Sequence, residues 1–597
     1  MRRLATFACT LLFVLPAAGQ SVITTADGRA GLPWDWSQSH IVFPEPQSED
    51  VRHQLEADPR YGLQFMRRWL MQYAPEDLGP TTNFQDLRPD WNEAIGTSTY
   101  TDTSPSYPAK YSFNVANPTP SCTNDYVVYT LPVAATTDFN VIAFNNLYVN
   151  STANGLCSGT VPKVLFAYNG SQSTGTLSTS PVLSLDGTKI AFIEKSTGAQ
   201  FHVLKWVAGQ FLATGFPKPF NSAHLANCAT NGGVAPCEYS VTYSTSTSTL
   251  GSPFIDYTTD TAYVTDDKGN LSAISPVFTA TPAHPPAVVT GYPKNLSTAA
   301  LTTAAYDSVS GNVFVADTSK LYYVRTKATS AGTCLTGTAT PCEGKNTVTY
   351  AANAGVGKTL EAPTIDATNG TVFVFAWSGG AYKGATIVQS NTTLSVTNVA
   401  NISGATGNST ATTLYAGTFD NNYYNNPTTG KLYGCGENNA GHFGTLWAVG
   451  FTNTTTMKTG TASFGPLNLT TASIAGSAAG ANSPCSSLTE VFNQTSGKDY
   501  LYMGVTSSCA FGGSATGCVL AFDITSGFPT TALAKLASNS GSSGIIIDNV
   551  SGSLTSATNL YFLTKAPQGA GSPCNVYTGG TNTTGNCAIK VTQSALN

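Results

Sequence analysis

The chain has 597 residues and a formal net charge of -5, and only 10% of its residues are charged. No run of lysine or arginine offsets this negative charge, which argues against a surface that follows a phosphate backbone, so nucleic acid is not an expected partner. Abundant glycine together with 10% aromatic residues is typical of turn-rich β structure and argues against a helical bundle. The composition therefore predicts an all-β protein.

The start of the chain has the three parts of a secretory signal peptide. Arg2 and Arg3 open it, an apolar stretch covers residues 4–16, and small residues precede Gln20. We therefore predict a signal peptide over residues 1–19, with cleavage after Gly19. No later apolar stretch is long enough to cross a bilayer, so we expect a protein without a membrane span, in the periplasm or outside the cell.

Twelve cysteines remain once Cys9 leaves with the signal peptide, and an even number in an oxidising compartment predicts disulfides. Four pairs are close neighbours across short loops, a fifth closes a longer loop, and the pair of Cys435 with Cys485 is left by elimination. The predicted pairs are Cys122 with Cys157, Cys228 with Cys237, Cys334 with Cys342, Cys435 with Cys485, Cys509 with Cys518, and Cys574 with Cys587. The cysteines lack the paired spacing of a zinc site, so no metal is expected.

Residues 20–110 form an N-terminal extension that holds the one convincing helix. Ser48 is a good helix cap, Pro59 suits a first helical position, and the apolar pattern continues to Tyr73. The residues expected on its apolar face are Leu63, Phe65, Met66, Trp69, Leu70 and Tyr73. We expect this face to pack on the main domain, and a partner-binding helix is the alternative.

A short phrase recurs through the rest of the chain: an apolar strand ends in Asp, a turn ends in Gly, and an alternating strand follows. The phrase is clearest at residues 365–375 and appears again at 306–315 and 185–192. It predicts a β-hairpin each time.

Eight units carrying such hairpins can be placed along the chain. Their predicted bounds are 122–180, 181–251, 252–301, 302–361, 362–413, 414–483, 484–541 and 542–597. This repeat favours a single β-propeller over residues 111–597, rather than a row of β-sandwich domains, which would need linkers, or a parallel β-helix, which has a shorter period. We predict eight blades. Seven is the alternative, because the first unit lacks the Asp-to-Gly turn.

The last unit offers three readable strands, so its outer strand must come from elsewhere in the chain. Residues 111–115 stand just before the first unit and are the expected donor, since pairing the two chain ends would cover an exposed edge. We therefore expect residues 111–115 to pair with a strand within residues 585–594. The count of eight depends on this pairing.

Aspartates recur at one position of the repeat and could form a ring of catalytic or calcium-binding carboxylates. These are Asp256, Asp307, Asp366 and Asp548. We favour turn chemistry, because an Asp at the start of a hairpin bonds its own backbone. A second cluster with the composition of a calcium site is Asp256, Asp260, Asp266 and Asp267, for which the same structural interpretation is favoured.

Two further motifs have a chemical and a plainer structural interpretation. Residues 355–359 resemble the end of a phosphate loop, but Ala352 stands where that loop needs Gly, and a strand follows. His442 with Glu437 has acid-base potential on a loop, although a lone histidine there is usually just solvated. The chain has no G-x-S-x-G elbow and no H-E-x-x-H motif, so we assign no catalytic or cofactor-binding residue.

Several stretches resemble known families. Residues 519–527 resemble a repeat strand of pyrroloquinoline-quinone dehydrogenases, although no Trp follows and no two cysteines are adjacent, and residues 181–192 resemble a TolB-type propeller repeat. Landmarks resembling uncharacterised secreted proteins of acidobacteria lie at 121–125, 142–148 and 180–187, and in the extension at Trp36, His40 and 58–61. That last resemblance covers most of the chain and implies a bacterial envelope or extracellular setting. It brings no activity.

The leading functional hypothesis is a non-catalytic binding or scaffold propeller, because the chain combines many repeats and a secretory address with no catalytic motif. Its expected partner is a glycan or another envelope protein, and we expect a monomer without a cofactor. The rival hypothesis is an enzyme whose site is assembled from blade loops, such as a glycan hydrolase or lyase or a quinoprotein-like dehydrogenase. Two carboxylates about 5 to 10 Å apart in a pocket would favour the enzyme.

Overall fold

The computed structural model describes residues 31–70, 89–95, 100, 106–112, 120–134, 139–149, 155–171, 175–209, 224–249, 251–350, 361–378, 384–403, 414–437, 444–469, 485–493, 497–506, 517–549, 558–568 and 585–592. The predicted signal peptide lies outside these residues. Within them, no helix is both long enough and apolar enough to cross a membrane.

The described strands form eight hydrogen-bonded sheets, which we number by their position in the chain. Sheet one consists of Leu32–Trp34, Ala109–Ser112, Tyr126–Thr130, Val141–Asn145 and Lys163–Tyr168, and sheet two of Val182–Leu183, Lys189–Glu194, Gln200–Lys205 and Cys237–Thr242. Sheet three consists of Phe254–Asp256, Thr261–Thr265, Asn270–Ser275, Ala287–Val288 and Lys294–Asn295. Sheet four consists of Ala305–Asp307, Asn312–Ala316, Lys320–Arg325, Cys342–Glu343 and Val348–Thr349. Sheet five consists of Ile41–Val42, Thr364–Asp366, Thr371–Ser378, Gly384–Asn391, Asn398–Asn401 and Gly460–Thr461. Sheet six consists of Thr418–Phe419, Lys431–Glu437, Gly444–Asn453, Thr456–Met457 and Phe464–Asn468. Sheet seven consists of Thr489–Asn493, Lys498–Val505, Cys518–Asp523 and Ala534–Ala537, and sheet eight of Trp91–Ala94, Ile546–Asn549, Thr558–Leu563 and Cys587–Thr592.

The sheets are arranged around a central channel, so the fold is a single all-β propeller. One strand of each sheet contacts neighbouring sheets at the centre, and we call it the channel strand. The channel strands are Ala109–Ser112, Val182–Leu183, Phe254–Asp256, Ala305–Asp307, Thr364–Asp366, Thr418–Phe419, Thr489–Asn493 and Ile546–Asn549. We call the end of the channel where these strands begin the leading end, and the end where they turn back the turn end.

The repeated phrase of the sequence is a hairpin at the turn end. In sheet five the carboxylate of Asp366 accepts the backbone N–H of Asn369 at 2.8 Å, and Gly370, with φ 65°, completes the turn. In the following strand Val372 packs in the core cluster of sheets two to five, whereas its neighbour Phe373 packs in the cluster of sheets five and six. Because another sheet covers each face, the strand is apolar from Val372 to Trp377.

Most helices of the described residues lie in the extension. The α-helices that the structure describes are Ser37–His40, Glu49–Leu55, Pro59–Leu70 and Asn421–Asn425, with a 3-10 turn at Pro427–Thr429. Ser48 caps its helix as predicted, since its hydroxyl accepts the backbone N–H of Val51 at 3.4 Å.

The predicted apolar face of the extension's helix is only partly correct. Leu63 is buried, but Phe65 is 60% exposed, so the prediction for Phe65 is wrong. The reason is geometric, because two residues along a helix correspond to about 200° of rotation and the two side chains cannot face the same surface. Tyr73, the predicted end of the helix, lies outside the described residues.

The extension also supplies strands to the propeller. Leu32–Trp34 pairs antiparallel with the channel strand of sheet one, and Ile41–Val42 pairs in parallel with the channel strand of sheet five. Sheets two, three and four lie between sheets one and five along the chain. The segment between the two extension strands therefore connects two sheets that are not neighbours in the chain.

A third extension strand, Trp91–Ala94, pairs antiparallel with Cys587–Thr592 and completes sheet eight. The prediction that residues 111–115 supply this strand is wrong. Ala109–Ser112 pairs instead with Tyr126–Thr130 in sheet one, because a short connection favours pairing with the next strand of the chain. The argument for eight blades that depends on the predicted pairing fails with it.

Four of the predicted disulfides are confirmed. They are Cys122–Cys157, Cys228–Cys237, Cys334–Cys342 and Cys435–Cys485, the last being the pair assigned by elimination. Cys518 and Cys587 are also disulfide-bonded, and their predicted partners, Cys509 and Cys574, lie outside the described residues.

Candidate functional site in the channel

The recurring aspartates serve the hairpin turns, as the structural interpretation predicts. Asp307 accepts the backbone N–H groups of Val309 and Ser310 at 3.2 and 3.1 Å, and Asp256 accepts that of Thr258 at 3.0 Å. Burial raises the pKa of Asp307 to about 6. These oxygens are used by the backbone, so they are poor candidates for a ligand.

Asp548 departs from this pattern, although it stands at the same position of the repeat. Its carboxylate pairs with the ammonium of Lys110 of sheet one at 2.7 Å, and both side chains are fully buried. Burial raises the pKa of Asp548 to about 6 and outweighs the attraction of Lys110. This ion pair joins sheets one and eight, and its role is structural.

The second aspartate cluster is divided between the two ends of sheet three. Asp260 at the turn end accepts the backbone N–H groups of Val277 and Phe278 at 2.9 and 2.8 Å. Asp266 at the leading end accepts those of Lys268 and Asn270, both at 2.9 Å. Among the described residues no group of three or more His, Cys, Asp or Glu side chains could hold a metal ion.

Two candidate motifs cannot be placed. His442 and the loop at residues 355–359 lie outside the described residues, as does Ala352. Glu437, the proposed neighbour of His442, is the last residue of Lys431–Glu437 in sheet six.

The turn end of the channel is filled by the extension, with Arg60 at its centre. The guanidinium is 2% exposed and lies over the rings of Phe254 and Tyr257, 4.3 and 4.9 Å from their centroids. Its Nη2 donates to the carbonyl of Ile255 at 2.5 Å, and its Nε donates to the hydroxyl of Ser37 at 3.3 Å. Arg60 therefore fixes the extension to sheet three through cation–π contacts and hydrogen bonds.

Two buried carboxylates accompany Arg60. Burial raises the pKa of both Asp35 and Asp58, while the positive charge of Arg60 opposes this shift. Nη1 of Arg60 lies 3.8 Å from Oδ1 of Asp58, and the hydroxyl of Ser308 in sheet four donates to Asp58 at 3.2 Å. The arrangement binds the extension to sheets three and four, so the role of Arg60 is structural.

The leading end of the channel carries a series of hydrogen-bonded hydroxyls. The backbone N–H of Tyr107 donates to the hydroxyl of Ser180 at 2.9 Å, and that of Ser180 donates to the hydroxyl of Ser252 at 2.9 Å. The N–H of Ser252 donates in turn to Thr303 at 2.8 Å. Each of these residues stands just before a channel strand, so the series links sheets one to four around the channel.

Glu361 occupies the corresponding region of sheet five and is 5% exposed. Its carboxylate accepts the hydroxyl of Ser487 and the backbone N–H of Ala416, and it is also hydrogen-bonded to the phenol of Tyr107. Burial raises the pKa of Glu361 to about 7, against the hydrogen bonds and the charge of Lys565, which lower it. The bond to Tyr107 spans from sheet five to sheet one, so this cluster closes the channel.

Lys565 completes the cluster from sheet eight. Its Nζ donates to the hydroxyl of Tyr415 at 2.9 Å and lies 4.4 Å from the centroid of that ring. Lys565 and Tyr415 are 5% and 6% exposed. Because Tyr415 precedes the channel strand of sheet six, the contact passes across the start of sheet seven. We call Tyr107, Glu361, Tyr415, Ser487 and Lys565 the mouth cluster.

Sequence reasoning missed the whole mouth cluster. Its residues come from five sheets and share no linear motif. Four of them stand just before a channel strand, in segments that the repeat pattern assigns to connections. The one available signal was a charged or aromatic residue at a position where other units have Ser, Thr or Gly. Glu361, for example, occupies the repeat position that Thr302 and Gly251 occupy in other units.

A second buried charged group lies between strands of sheet two. His202 is fully buried, with Nε2 3.2 Å from Glu194 and Nδ1 3.0 Å from Glu238. Burial alone would lower the pKa of His202, but the two carboxylates outweigh it and raise the pKa to about 9. The group has the geometry of an internal ion pair rather than of a ligand site.

His202→Gln should destabilise the protein in a pH-dependent way. Since the folded-state pKa of about 9 exceeds the ordinary 6.5, the stabilisation by His202 is fully present below pH 6.5 and is lost as pH rises through 9. The expected loss of unfolding free energy at pH 6 is about 3 kcal/mol. Urea unfolding of both proteins from pH 6 to 9.5 measures it, with the exposed His53→Gln as control; a constant difference across that range would contradict the ion-pair interpretation.

Comparison with known proteins adds similarity of shape only. No model of a known protein family matches the chain, and no curated protein matches it. BamB from Moraxella catarrhalis is similar over 83% of this chain and 98% of its own, at 11% identity and a TM-score of 0.37. Sqt1 from Chaetomium thermophilum is similar over 80% of this chain and 96% of its own, at 12% identity and a TM-score of 0.42. At these scores the similarities carry no argument about function or partners.

The fold and the channel together define the class of the protein. It is a single all-β propeller whose N-terminal extension fills the turn end of the channel, and whose leading end is closed by the mouth cluster.

Proposed function

We propose that the protein is a non-catalytic binding propeller of the bacterial envelope or extracellular space, and that its ligand docks on the face at the leading end of the channel. The observation that carries this proposal is the position of the extension. Because the segment around Arg60 fills the turn end, the proposal places the ligand on the opposite face, around the mouth cluster. The described residues near that face include hydroxyl groups, one carboxyl and one ammonium, which are groups found in sites for polar ligands.

The chemistry of the mouth cluster supports binding over catalysis. Burial and the nearby Glu361 raise the pKa of Tyr107 well above its ordinary value, so its phenol acts as a hydrogen-bond donor and not as a base. Hydrolysis of a glycosidic bond generally uses two carboxyl groups, and the hydrogen-bond partners of Glu361 among the described residues include no second carboxylate.

The secreted address and the bacterial setting belong to the proposal. They are supported by the pattern of residues 1–19, by the resemblance to secreted acidobacterial proteins, and by disulfides, which persist in oxidising compartments. The proposal also includes a monomeric protein and a division of the chain into signal peptide, extension and propeller. The propeller then starts at Ala109, where the channel strand of sheet one begins.

We also infer that each of the eight sheets is one blade. The links between neighbouring sheets at the channel support this count. Beyond the hydroxyl series of sheets one to four, the N–H of Leu488 donates to Ala416 at 3.1 Å, the hydroxyl of Thr489 donates to Ile545 at 3.0 Å, and the N–H of Gly544 donates to Ser106 at 2.8 Å. These bonds join sheets six to seven, seven to eight and eight to one. A seven-bladed ring would have to exclude one of the linked sheets.

A binding screen with face-selective blocking tests the function. The mature chain is assayed against immobilised bacterial polysaccharides and envelope proteins, and we expect saturable binding without change to the ligand. Exposed Lys268 and exposed Thr259 lie at opposite ends of sheet three, so a large polymer attached at Lys268→Cys or at Thr259→Cys covers the leading or the turn face. Binding should be lost with the first and kept with the second. The reverse result, or turnover without stoichiometric binding, would overturn the proposal.

A further inference from the structure

The ion pair of Lys110 and Asp548 differs in burial from the other lysine–carboxylate pairs of the described residues. Both of its side chains are fully buried, with Nζ and Oδ2 2.7 Å apart, whereas every other such pair has at least one partly exposed partner. Within the described part of the chain, neither oxygen of Asp548 has a hydrogen-bond partner besides Lys110. The pair therefore holds an amine and a carboxyl group in contact and away from solvent.

A hydrogen-bonded relay connects the amine of Lys110 to a second carboxyl group. Nζ of Lys110 donates to the hydroxyl of Tyr148 at 3.0 Å, and that hydroxyl donates to Oδ2 of Asp125 at 2.6 Å. Nζ also donates to the hydroxyl of Ser112 at 2.5 Å, which fixes its position. Tyr148 is fully buried and Asp125 is 1% exposed. Because a lysine amine becomes a nucleophile only when a base removes its proton, this relay supplies what the amine needs to react.

We propose that Lys110 and Asp548 form an intramolecular isopeptide bond, which links sheets one and eight covalently. Both reacting groups belong to the chain and already touch, so nothing has to enter the buried site. The inference goes beyond the proposed function and does not depend on it, since it concerns the junction of the first and last sheets rather than the binding face.

The reaction is the loss of one water molecule from the ion pair. Nζ of Lys110 attacks Cγ of Asp548, an N–C bond forms, and one C–O bond of the carboxyl group breaks. One proton passes from Nζ to Oδ2 directly across the ion pair. A second proton leaves Nζ through Tyr148 to Asp125 and returns by the same relay to the departing oxygen, which leaves as water. The ammonium and the carboxylate thus become a neutral amide without an oxidant or a co-reactant.

The surroundings of the pair favour this reaction. Burial raises the pKa of Asp548 to about 6, which favours the protonated carboxyl group that an amine can attack. The fixed contact between the two groups removes much of the entropic barrier to their reaction. A neutral amide also avoids the desolvation cost of two buried charges. Since Lys110 and Asp548 lie on the channel strands of sheets one and eight, the product closes the ring covalently.

The pair of Lys590 and Asp90 is an internal control. Its N···O distance is 3.1 Å, close to that of Lys110 and Asp548, but the side chain of Asp90 is 14% exposed. Oδ2 of Asp90 also accepts the hydroxyl of Thr592. Solvent and this hydrogen bond stabilise the carboxylate of Asp90, so we expect no covalent bond there.

Mass spectrometry of the mature protein, with its cysteines reduced and alkylated, tests the inference. We expect a mass below that of the sequence by about 18 Da, one water molecule. Trypsin should not cut after Lys110, and peptide 536–565, which contains Asp548, should be recovered joined to the peptide that contains Lys110. Lys590 and Asp90 should be recovered unlinked. A mass without the deficit, or complete cleavage after Lys110, would overturn the inference.

Two variants test the chemistry by the same measurement. Tyr148→Phe keeps the ring and removes the hydroxyl of the relay, so we expect the bond to form more slowly by roughly a hundredfold. The folded variant should be purified mostly without the mass deficit and should acquire it during incubation. The exposed Lys268→Met is the matched control and should show the full deficit at once. A full deficit in freshly purified Tyr148→Phe would overturn the relay, and the peptide map of the wild type decides the bond itself whether or not the variant folds.

Discussion

Replacing Arg60 with Met should lower the free energy of unfolding by about 3 to 5 kcal/mol at pH 7, because it leaves Asp35 and Asp58 buried without their cation. Met keeps the apolar bulk over Phe254 but loses the hydrogen bonds to Ile255 and Ser37. Urea unfolding at pH 7 measures the loss. Arg60→Lys should recover only part of it, since an ammonium cannot reproduce the guanidinium fork.

A matched arginine and a pH series separate this effect from simple loss of packing. Arg52 has a half-exposed side chain, with surface ion pairs at 3.7 Å to Glu45 and Glu49, so Arg52→Met should cost less than 1 kcal/mol. Without Arg60 the folded-state pKa of each aspartate rises further above its ordinary value, so stability is retained at low pH and lost as pH rises. The deficit of Arg60→Met should therefore shrink between pH 7 and pH 4. A deficit that is constant with pH would assign the effect to packing.

Regularities of the sequence predicted the repeated part of the fold well. Apolar strands after an Asp-to-Gly turn are produced by the turn geometry and by burial on both faces of the sheet, and these requirements act within each repeat. The hairpins predicted at residues 306–315 and 365–375 and the turn bonds of Asp307 and Asp366 agree with the structure for this reason. Two of the four confirmed disulfides, Cys228–Cys237 and Cys334–Cys342, follow from short local loops, whereas Cys122–Cys157 closes a longer loop and Cys435–Cys485 was assigned by elimination.

The parts that were missed depend on contacts between distant segments. Tyr107 and Glu361 are 254 positions apart in the chain, yet they meet because sheets one and five face each other across the channel. The sequence around either residue contains no pattern that predicts this contact. The same holds for Arg60, whose sequence context indicates an ordinary helix start and whose burial is decided by sheet three. Periodicity reveals which strands form, and it does not reveal which side chains reach the axis.

The choice of the closing strand shows the same limit. Residues 111–115 alternate between apolar and polar side chains, whereas residues 91–94 do not, so pattern alone favours the wrong donor. The structure uses Trp91–Ala94 there because Ala109–Ser112 is needed as the channel strand of sheet one. The principle that the chain ends pair to close the ring holds, with the donor taken from further upstream.

Trp91→Ala should therefore open the junction of sheets one and eight and cost about 3 to 5 kcal/mol of unfolding free energy. Trp91 is 1% exposed, its Nε1 donates to the carbonyl of Leu147 at 3.1 Å, and its ring lies 6.0 Å from Phe144 and 6.2 Å from Tyr561. One side chain thus packs against both sheets. Thermal unfolding with light scattering should show a lower midpoint and more aggregation, since the edge at Cys587–Thr592 becomes accessible.

The exposed Phe65→Ala controls for the loss of an aromatic side chain and should change the unfolding free energy by less than about 0.5 kcal/mol.

Glu93 lies on the same closing strand, and its replacement is expected to change stability in the opposite direction. Among the described residues its buried carboxyl oxygens have no hydrogen-bond partner, and burial raises its pKa to about 8. The stability of the wild type therefore falls as pH rises from 4.5 through 8. Glu93→Gln avoids that ionisation and should be more stable than the wild type at pH 8 by on the order of 3 kcal/mol. Loss of stability in both Trp91→Ala and Glu93→Gln at pH 8 would mean that the closing strand tolerates no change at all, and the electrostatic account of Glu93 would then be wrong.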